Sequence, residues 1–394
     1  MTTKHRLVAS ASIVPRIAAA VAATALLSGA CSSDGDAELA ASTLPSTNAS
    51  TSASTAPAEA LPSSRVLTPD ATTHLGLTWF SPPAPDSLAA IGPRWSEAEA
   101  ASSVGRVLVD WIDVEPEKGS YRFDELDEAL GDIVDAGLAP MVTIAAVDVS
   151  GTEFPAWLGE FEPVAAGDAY VAMLEAALPT LRAHDVWLVS IANEPPFADD
   201  EELDRGDFAT LVERVTAAMD ELAPDVPVTF TFAGGDPFID DPAIDRMRTA
   251  VDALSVNHYC LDEGLVIRPL AQATEQIDRY VEIADGRPIV FHEFGCPAGA
   301  LNGSSDEDQL AWFEVALEHI SSIEQIRAAF VFEFLDWSEE TFELDYGAVT
   351  ELLESEVGGD FVERFRSWLL TSGLVRGDGT TRPAFDHYLA VAGG

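Results

Sequence analysis

Short apolar segments of strand length alternate along the chain with amphipathic segments of helical periodicity. The apolar segments are rich in β-branched and aromatic residues, and most of them run directly into polar residues. This pattern is typical of strands that are buried on both faces of a parallel sheet. The predicted strands are His74–Phe80, Val104–Trp111, Ala139–Asp148, Val186–Glu194, Val226–Ala233, Ala253–Cys260, Pro288–Phe294 and Ile326–Trp337.

The segments between these strands predict helices, because their apolar residues recur every three or four positions. The clearest are Phe123–Ala136, Asp168–Ala183, Phe208–Leu222, Leu270–Ala284 and Asp308–Ser322. Repeated β-then-α units, eight in all, predict an α/β fold: a closed (β/α)8 TIM barrel in a single domain that spans residues 72–394. A doubly wound open sheet is the competing architecture, although the sequence lacks the G-x-G-x-x-G turn that often follows its first strand.

The N-terminal region predicts export. A positively charged start is followed by the apolar run Ile17–Leu27, which is too short for a permanent membrane span, and then by small residues before Cys31. This pattern resembles a bacterial lipoprotein cleavage site, so residues 1–31 predict a lipoprotein-type signal peptide with lipidation of Cys31. An ordinary cleaved signal peptide is the alternative. Residues 32–71, rich in Ser, Thr, Ala and Pro, predict a disordered linker.

Either signal places the protein outside the cytoplasm, on the outer face of the bacterial cell membrane or secreted. The composition excludes some partners, since 67 Asp and Glu against 21 Lys and Arg give a net charge of −46. Such a charge repels nucleic acids and anionic lipids, so we expect no nucleic-acid partner and membrane contact only through a lipid anchor. No residue spacing suggests a metal or cofactor site, and we expect a monomer without a cofactor.

Polar and aromatic residues stand at the C-terminal ends of the predicted strands, which form the active face of a TIM barrel. Unpaired carboxylates would be costly inside a core, so Glu194 and Glu293 are candidates for chemistry rather than packing. Two carboxyl groups at one barrel mouth are what acid/base work on a glycosidic bond requires. Aromatic rings beside them suit the apolar faces of sugars.

Two of these strand ends resemble the signatures of clan A glycoside hydrolases, a superfamily of retaining enzymes. They are Ile191–Pro195, with the sequence IANEP, and Phe291–Gly295, with the sequence FHEFG. The segments Arg106–Phe123 and Ser372–Phe385 resemble the second unit and the closing segment of the same clan. The resemblance implies a TIM barrel that hydrolyses β-linked glycans or glycosides by double displacement, acting on oligo- or polysaccharides.

By the same resemblance, Glu194 is the general acid/base and Glu293 the nucleophile. Asn193 is expected to bind the sugar 2-hydroxyl, Tyr259 and Arg106 to hold the nucleophile ionised, and Trp337 to floor the subsite of the attacked sugar. The full set of substrate-binding candidates is Asn193, Tyr259, Arg106, Trp337, Trp79, Trp111 and Trp157. For Trp79, Trp111 and Trp157, packing is as good an explanation as a place in the cleft.

Cys260 and Cys296 each follow the end of a predicted strand. A disulfide between them is possible if the strands are neighbours, and two free thiols are the alternative. The competing function is a barrel that binds surface glycans without cutting them. Asp148 and the segment Phe154–Leu158 are further candidates for lining the sugar cleft, because the histidine that many clan members carry at the end of strand three is missing here.

Overall fold

A computed structural model describes residues 73–79, 88–148, 151–195, 203–234 and 242–393. The predicted signal peptide, Cys31 and the linker lie outside these residues, so export, lipidation and the start of the domain at residue 72 stay predictions. Within the described ranges, no helix combines the length and the apolar character needed to cross a membrane.

Eight parallel strands form the barrel. Hydrogen bonds link them in the order β1, β8, β7, β6, β5, β4, β3, β2, and the Ser103 amide next to β2 donates to the Leu75 carbonyl on β1 at 2.9 Å. The predicted TIM barrel is therefore confirmed, and the open doubly wound sheet is wrong. The strands are β1 His74–Leu77, β2 Val104–Asp110, β3 Ala139–Asp148, β4 Leu188–Asn193, β5 Val228–Ala233, β6 Leu254–Tyr259, β7 Ile289–Gly295 and β8 Ile326–Val331.

The eighth strand ends earlier than the sequence predicts, at Val331 rather than Trp337. The chain leaves the barrel ladder there and pairs with the segment near the C-terminus instead. Leu374 N–H donates to the Glu333 carbonyl at 2.9 Å, and Asp336 N–H donates to the Val375 carbonyl at 3.0 Å. Apolar residues continue through this stretch, which explains why it resembles a strand extension in the sequence.

Helices cover the outside of the barrel. The five predicted helices are present, although the one expected from Leu270 starts with a 3₁₀ turn, Leu270–Gln272, before the α-helix begins at Glu275. A two-residue strand, Gly151–Thr152, pairs with the end of β3. The helices are α1 Leu88–Ala101, α2 Trp111–Val114, α3 Asp124–Asp135, α4 Pro163–Ala183, α5 Arg205–Leu222, α6 Pro242–Ala250, α7 Glu275–Ala284, α8 Asp306–Ser321, α9 Glu339–Val357, α10 Gly359–Thr371 and α11 Pro383–Ala392.

Most strand residues are buried, as their apolar sequences require; β2 is the exception, with Arg106–Asp110 half-buried. All residues of β4 and β7 are buried. Glu194 directly follows β4, and Glu293 lies on β7. A separate aromatic group, here called the mouth cluster, joins α9 and α10 to the barrel mouth. The mouth cluster consists of Phe332, Phe342, Phe365 and Leu369, with Tyr259, Trp337, Tyr346 and Trp368 packed against them.

Candidate active site

Glu293 is held by donors on two other strands. It lies on β7 and is only 7% exposed. Arg106 on β2 donates from Nη2 to Oε1 at 2.9 Å, and the Tyr259 hydroxyl on β6 donates to Oε2. Burial, followed by the charge of Glu293, raises the pKa of Tyr259 well above its usual value, so the phenol keeps its proton. A guanidinium and a neutral phenol both favour the carboxylate form of Glu293.

Glu194 follows β4 directly and has a different environment. Its backbone is in the left-handed region, with φ +46°, an uncommon conformation for a residue with a side chain. Its N–H donates to the Thr231 carbonyl on β5 at 2.9 Å, which fixes the turn. Burial and then the charge of Glu293 raise the pKa of Glu194, against the effect of a hydrogen bond from Asn257. Glu194 thus tends to keep a proton where an ordinary glutamate has lost it.

A chain of hydrogen bonds joins the two sides of the site. Asn193 Nδ2 donates to Asp148 Oδ1 at 3.0 Å, and Asn257 Nδ2 donates to Asn193 Oδ1 at 3.1 Å. His292 Nδ1 lies 3.3 Å from Asn257 Oδ1, and Arg106 Nη1 lies 2.7 Å from His292 Nε2. Burial, and then Arg106, lower the pKa of His292 well below its usual value. Arg106 Nη1 also lies 2.5 Å from His292 Nδ1, and Thr143 Oγ1 lies 3.0 Å from Nε2, so the neutral ring has polar contacts at both nitrogens.

A disulfide links the two strands that hold the nucleophile region. It joins Cys260 to Cys296, with a Cα–Cα distance of 5.1 Å. Cys260 directly follows Tyr259, and the Cys260 amide donates to the Gly295 carbonyl at 3.0 Å. The strand ends that present Tyr259 and Glu293 are therefore linked covalently as well as by the β6–β7 ladder.

The four tryptophan candidates occupy different environments. Trp337 is half-buried just beyond β8, with its ring 6.0 Å from the Tyr346 ring. Trp79 is also half-buried and packs 5.0 Å from Trp95 on α1. Trp157 is half-buried, and its Nε1 donates to the Glu115 carbonyl at 2.9 Å.

Trp111 is a correction to the sequence interpretation. The side chain is fully buried, and its ring lies 5.0 Å from the Tyr170 ring on α4. Its Nε1 donates to Glu115 Oε2 at 3.1 Å. No surface remains for a sugar, so its place among the cleft residues is wrong and the packing alternative holds. The reason is that the chain turns into α2 at Trp111, which directs the ring between the barrel and α4.

One carboxylate, Asp148, acts on the ionisation of two other acidic residues of the site, Asp110 and Glu194. Asp110 ends β2, and burial, then Glu153 and Asp148, raise its pKa to about 8. Asp148 also raises the pKa of Glu194. Among the described residues, no group of three or more His, Cys, Asp or Glu side chains could hold a metal ion. The acidic groups act on one another's protonation.

The sequence interpretation missed a residue of α9. Tyr346 belongs to the mouth cluster, and the charges of Asp148, Glu293 and Glu194 act on its phenol. Its only sequence signal is the spacing of four residues from Phe342, which puts two aromatic rings on one helix face. Asn257 and His292 stand at strand ends, but their hydrogen bonds depend on the register between strands.

The fold is shared with solved glycoside hydrolases of low sequence identity. The exo-β-1,4-mannosidase Op5Man5 from Opitutaceae bacterium strain TAV5 aligns with a TM-score of 0.59 at 16% identity, over 81% of this chain and 59% of that one. A GH5_18 variant from Streptomyces cattleya, solved in complex with Manβ1-4GlcNAc, gives a TM-score of 0.59 at 14% identity, over 82% and 80% of the chains. A β-glucosidase, 1317, gives 0.52 at 17%, over 76% and 87%.

The chain thus spans about three fifths of the length of the mannosidase it matches. No family model matches the sequence, and no curated protein matches it at a significant level. At identities this low, the structural alignments establish the fold alone, and the reaction has to be argued from the residues of the site. The structural neighbours agree with the clan A resemblance of the two strand-end motifs, and the chain has the (β/α)8-barrel fold of these glycoside hydrolases.

Proposed function

We propose that the protein is a retaining glycoside hydrolase that cleaves β-linked glycans or glycosides by double displacement. The observation that carries this proposal is the contrast between two carboxyl groups at one barrel mouth. Arg106 and Tyr259 donate to Glu293, which favours its anion. Burial and a neighbouring negative charge favour the protonated form of Glu194. One carboxylate that is held by two donors, beside a second carboxyl group whose raised pKa lets it keep its proton, is the arrangement of a nucleophile and a general acid.

In the first step, Glu293 attacks the anomeric carbon while Glu194 gives its proton to the glycosidic oxygen. The leaving alcohol departs, and a glycosyl ester links the sugar to Glu293. In the second step, Glu194, now a carboxylate, removes a proton from water as the water oxygen attacks the anomeric carbon. The ester bond breaks, the Glu293 carboxylate and protonated Glu194 are restored, and the product keeps the β configuration.

The charges at the mouth favour uncharged sugars. The negative charges of Glu293 and Asp148, which both raise the pKa of Glu194, would oppose a uronic acid or a sulfated sugar. Arg106, the cation nearest to the nucleophile, already donates to Glu293 and contacts His292. The structural neighbours support mannosides and glucosides as the first substrates to test, since their titles name an exo-β-1,4-mannosidase and a β-glucosidase.

Export supports an extracellular substrate. The predicted lipoprotein-type signal with Cys31, followed by the predicted linker of residues 32–71, fits an enzyme held at the outer face of the cell membrane. The disulfide between Cys260 and Cys296 is of the kind that persists in an oxidising compartment. Labelling of Cys31 with an alkyne fatty acid in the native host, compared with a Cys31→Ala variant, would test the anchor.

The test of the reaction uses aryl β-glycosides in gluco, manno, galacto and xylo forms, with the wild type and Glu293→Ala. We expect turnover of at least one substrate by the wild type and loss of about four orders of magnitude or more in the variant. NMR of the first product should show the β anomer, and a 2-fluoro sugar should add its mass to a peptide that contains Glu293. An α anomer would overturn retention, and undiminished turnover by Glu293→Ala would overturn the assignment. Binding of oligosaccharide without any hydrolysis would establish the glycan-binding alternative.

A further inference from the structure

Helix α9 (Glu339–Val357) is held in place over the barrel mouth by apolar and ionic contacts with α10. Phe342 is buried with its ring 6.0 Å from the Phe365 ring. Arg366 donates to Glu343 at 2.8 Å, pairs with Glu339, and lies 5.0 Å from the centre of the Phe342 ring. These contacts fix the face of α9 that points toward the mouth cluster.

Tyr346 lies on that face, one helical turn after Phe342. Its ring packs edge-on against Phe365 at 4.9 Å and lies 6.0 Å from the ring of Trp337. The same mouth cluster contains Tyr259, whose hydroxyl donates to the nucleophile Glu293. The Tyr346 ring therefore stands next to the tryptophan predicted to floor the subsite and close to the residue that holds the nucleophile.

Carboxylates of the candidate site act on the phenol of Tyr346. Burial raises the pKa of Tyr346, and the carboxylates of Asp345, Asp148, Glu293 and Glu194 raise it further. Asp148 ends β3, Glu194 follows β4, and Glu293 lies on β7. Together with the ring contacts to Trp337 and Phe365, these charges place the Tyr346 phenol beside the strand ends of the candidate site. The phenol stays protonated and can donate a hydrogen bond there.

We propose that Tyr346 is a substrate-binding residue whose hydroxyl donates a hydrogen bond to a ring hydroxyl of the sugar that is cleaved. This assignment rests on the proposed function and adds a specificity determinant to it: the enzyme should require an unsubstituted hydroxyl at one position of that sugar. A polar group that loses its partner in a dry site is costly, so a sugar without this hydroxyl should be discriminated against. Sugars acylated or sulfated at that position should be rejected by the same contact.

The test measures kcat/KM for the best aryl β-glycoside and for its 2-, 3-, 4- and 6-deoxy analogues, with the wild type and Tyr346→Phe. The substitution removes one oxygen and keeps the ring. We expect a loss of about 10- to 100-fold on the parent substrate. One deoxy analogue should lack the hydroxyl that Tyr346 binds, and the wild type should already show this loss on it. On that analogue Tyr346→Phe should lower kcat/KM by no more than about a further twofold.

Two variants serve as controls. Tyr388→Phe makes the same chemical change on α11, away from the barrel mouth. There the Tyr388 hydroxyl lies 2.6 Å from the Ser102 hydroxyl. Leu344→Ala changes α9 at a side chain that is 70% exposed. Both should keep the wild-type ratio of parent to deoxy substrates.

Equal losses by Tyr346→Phe on the parent and on all deoxy analogues would show a structural role and overturn the assignment, as would no loss at all. In either case wild-type turnover and an inactive Glu293→Ala would leave the proposed function intact. Failure of the wild type to hydrolyse any glycoside would instead overturn the proposed function and this assignment with it.

Discussion

The two glutamates at the barrel mouth differ in what surrounds them, although both stand near the carboxyl end of a buried parallel strand: Glu293 lies on β7, and Glu194 directly follows β4. Glu293 has a guanidinium on one oxygen, a phenol on the other and a disulfide three residues away. Glu194 has carboxylates near it, an amide donor in Asn257, and a left-handed backbone. The first environment holds a charge in one position. The second lets a proton be held and released.

The difference shows how one fold supplies both partners of an acid/base reaction. Strand ends of a parallel barrel bring side chains from distant segments to one face, so each glutamate draws its neighbours from other strands. Arg106 comes from β2 and Tyr259 from β6 for the nucleophile side. Asp148 comes from β3 for the acid side, and the Asn193–Asn257 amides connect the two.

The largest expected effect separates the roles of the two glutamates. Glu194→Ala removes the proton donor but leaves the nucleophile in place. Its kcat/KM should fall by about 10³-fold or more for glycosides with poor leaving groups. The loss should be much smaller for dinitrophenyl glycosides, because dinitrophenolate can leave without being protonated. Glu293→Ala should inactivate the enzyme toward both. The measurement is a plot of log(kcat/KM) against leaving-group pKa.

Added azide gives a second readout for the same comparison. With Glu194→Ala it should restore turnover and yield a β-glycosyl azide, because the small anion can attack the glycosyl ester without a general base. Equal losses on all leaving groups, or an α-glycosyl azide, would contradict the assignment of Glu194 as the acid/base.

A smaller effect is expected from Arg106→Lys. The charge is kept, but a lysine cannot reproduce donation to Glu293 together with the contact to His292. We expect kcat/KM to fall by about 10²-fold, since Glu293 loses one of the two donors that hold it for attack. The control is Arg246→Lys, an exposed residue that pairs with Glu213. An unchanged kcat/KM in Arg106→Lys would show that Arg106 does not position the nucleophile.

Much of the fold could be predicted because its strands and helices follow from the local pattern of apolar and polar residues. The runs that form β4 and β7 are apolar throughout, and a strand buried on both faces requires that. The positions of Glu194 and Glu293 follow, because a polar residue that ends such a run lies at the carboxyl face of a parallel barrel. The motifs at these strand ends, IANEP and FHEFG, also carry the resemblance to clan A glycoside hydrolases.

The rest depends on contacts that the chain order does not encode. Asn257 pairs across the ladder with Glu293, but that register arises from the shear of the closed barrel. Trp111 has the signal of a cleft residue and turns inward with α2. Tyr346 lies on α9, after the last strand, and this helix is not among the clearest ones that the sequence predicts.

The smallest expected effect tests whether neighbouring carboxylates tune the acid. Asp148 raises the pKa of Glu194, after burial and Glu293. Asp148→Asn removes that negative charge, so Glu194 should lose its proton at lower pH, and the alkaline limb of kcat/KM should move toward acid by up to about one pH unit. The asparagine oxygen can still accept the hydrogen bond from Asn193, so the rate below the limb should change by less than about tenfold. Asp225→Asn, at an exposed ion pair with Arg182, should leave the limb unmoved. A limb that stays in place or moves toward alkali in Asp148→Asn would show that burial and Glu293 alone set the proton affinity of the acid, and the contrast between the two sides would then rest on those two causes.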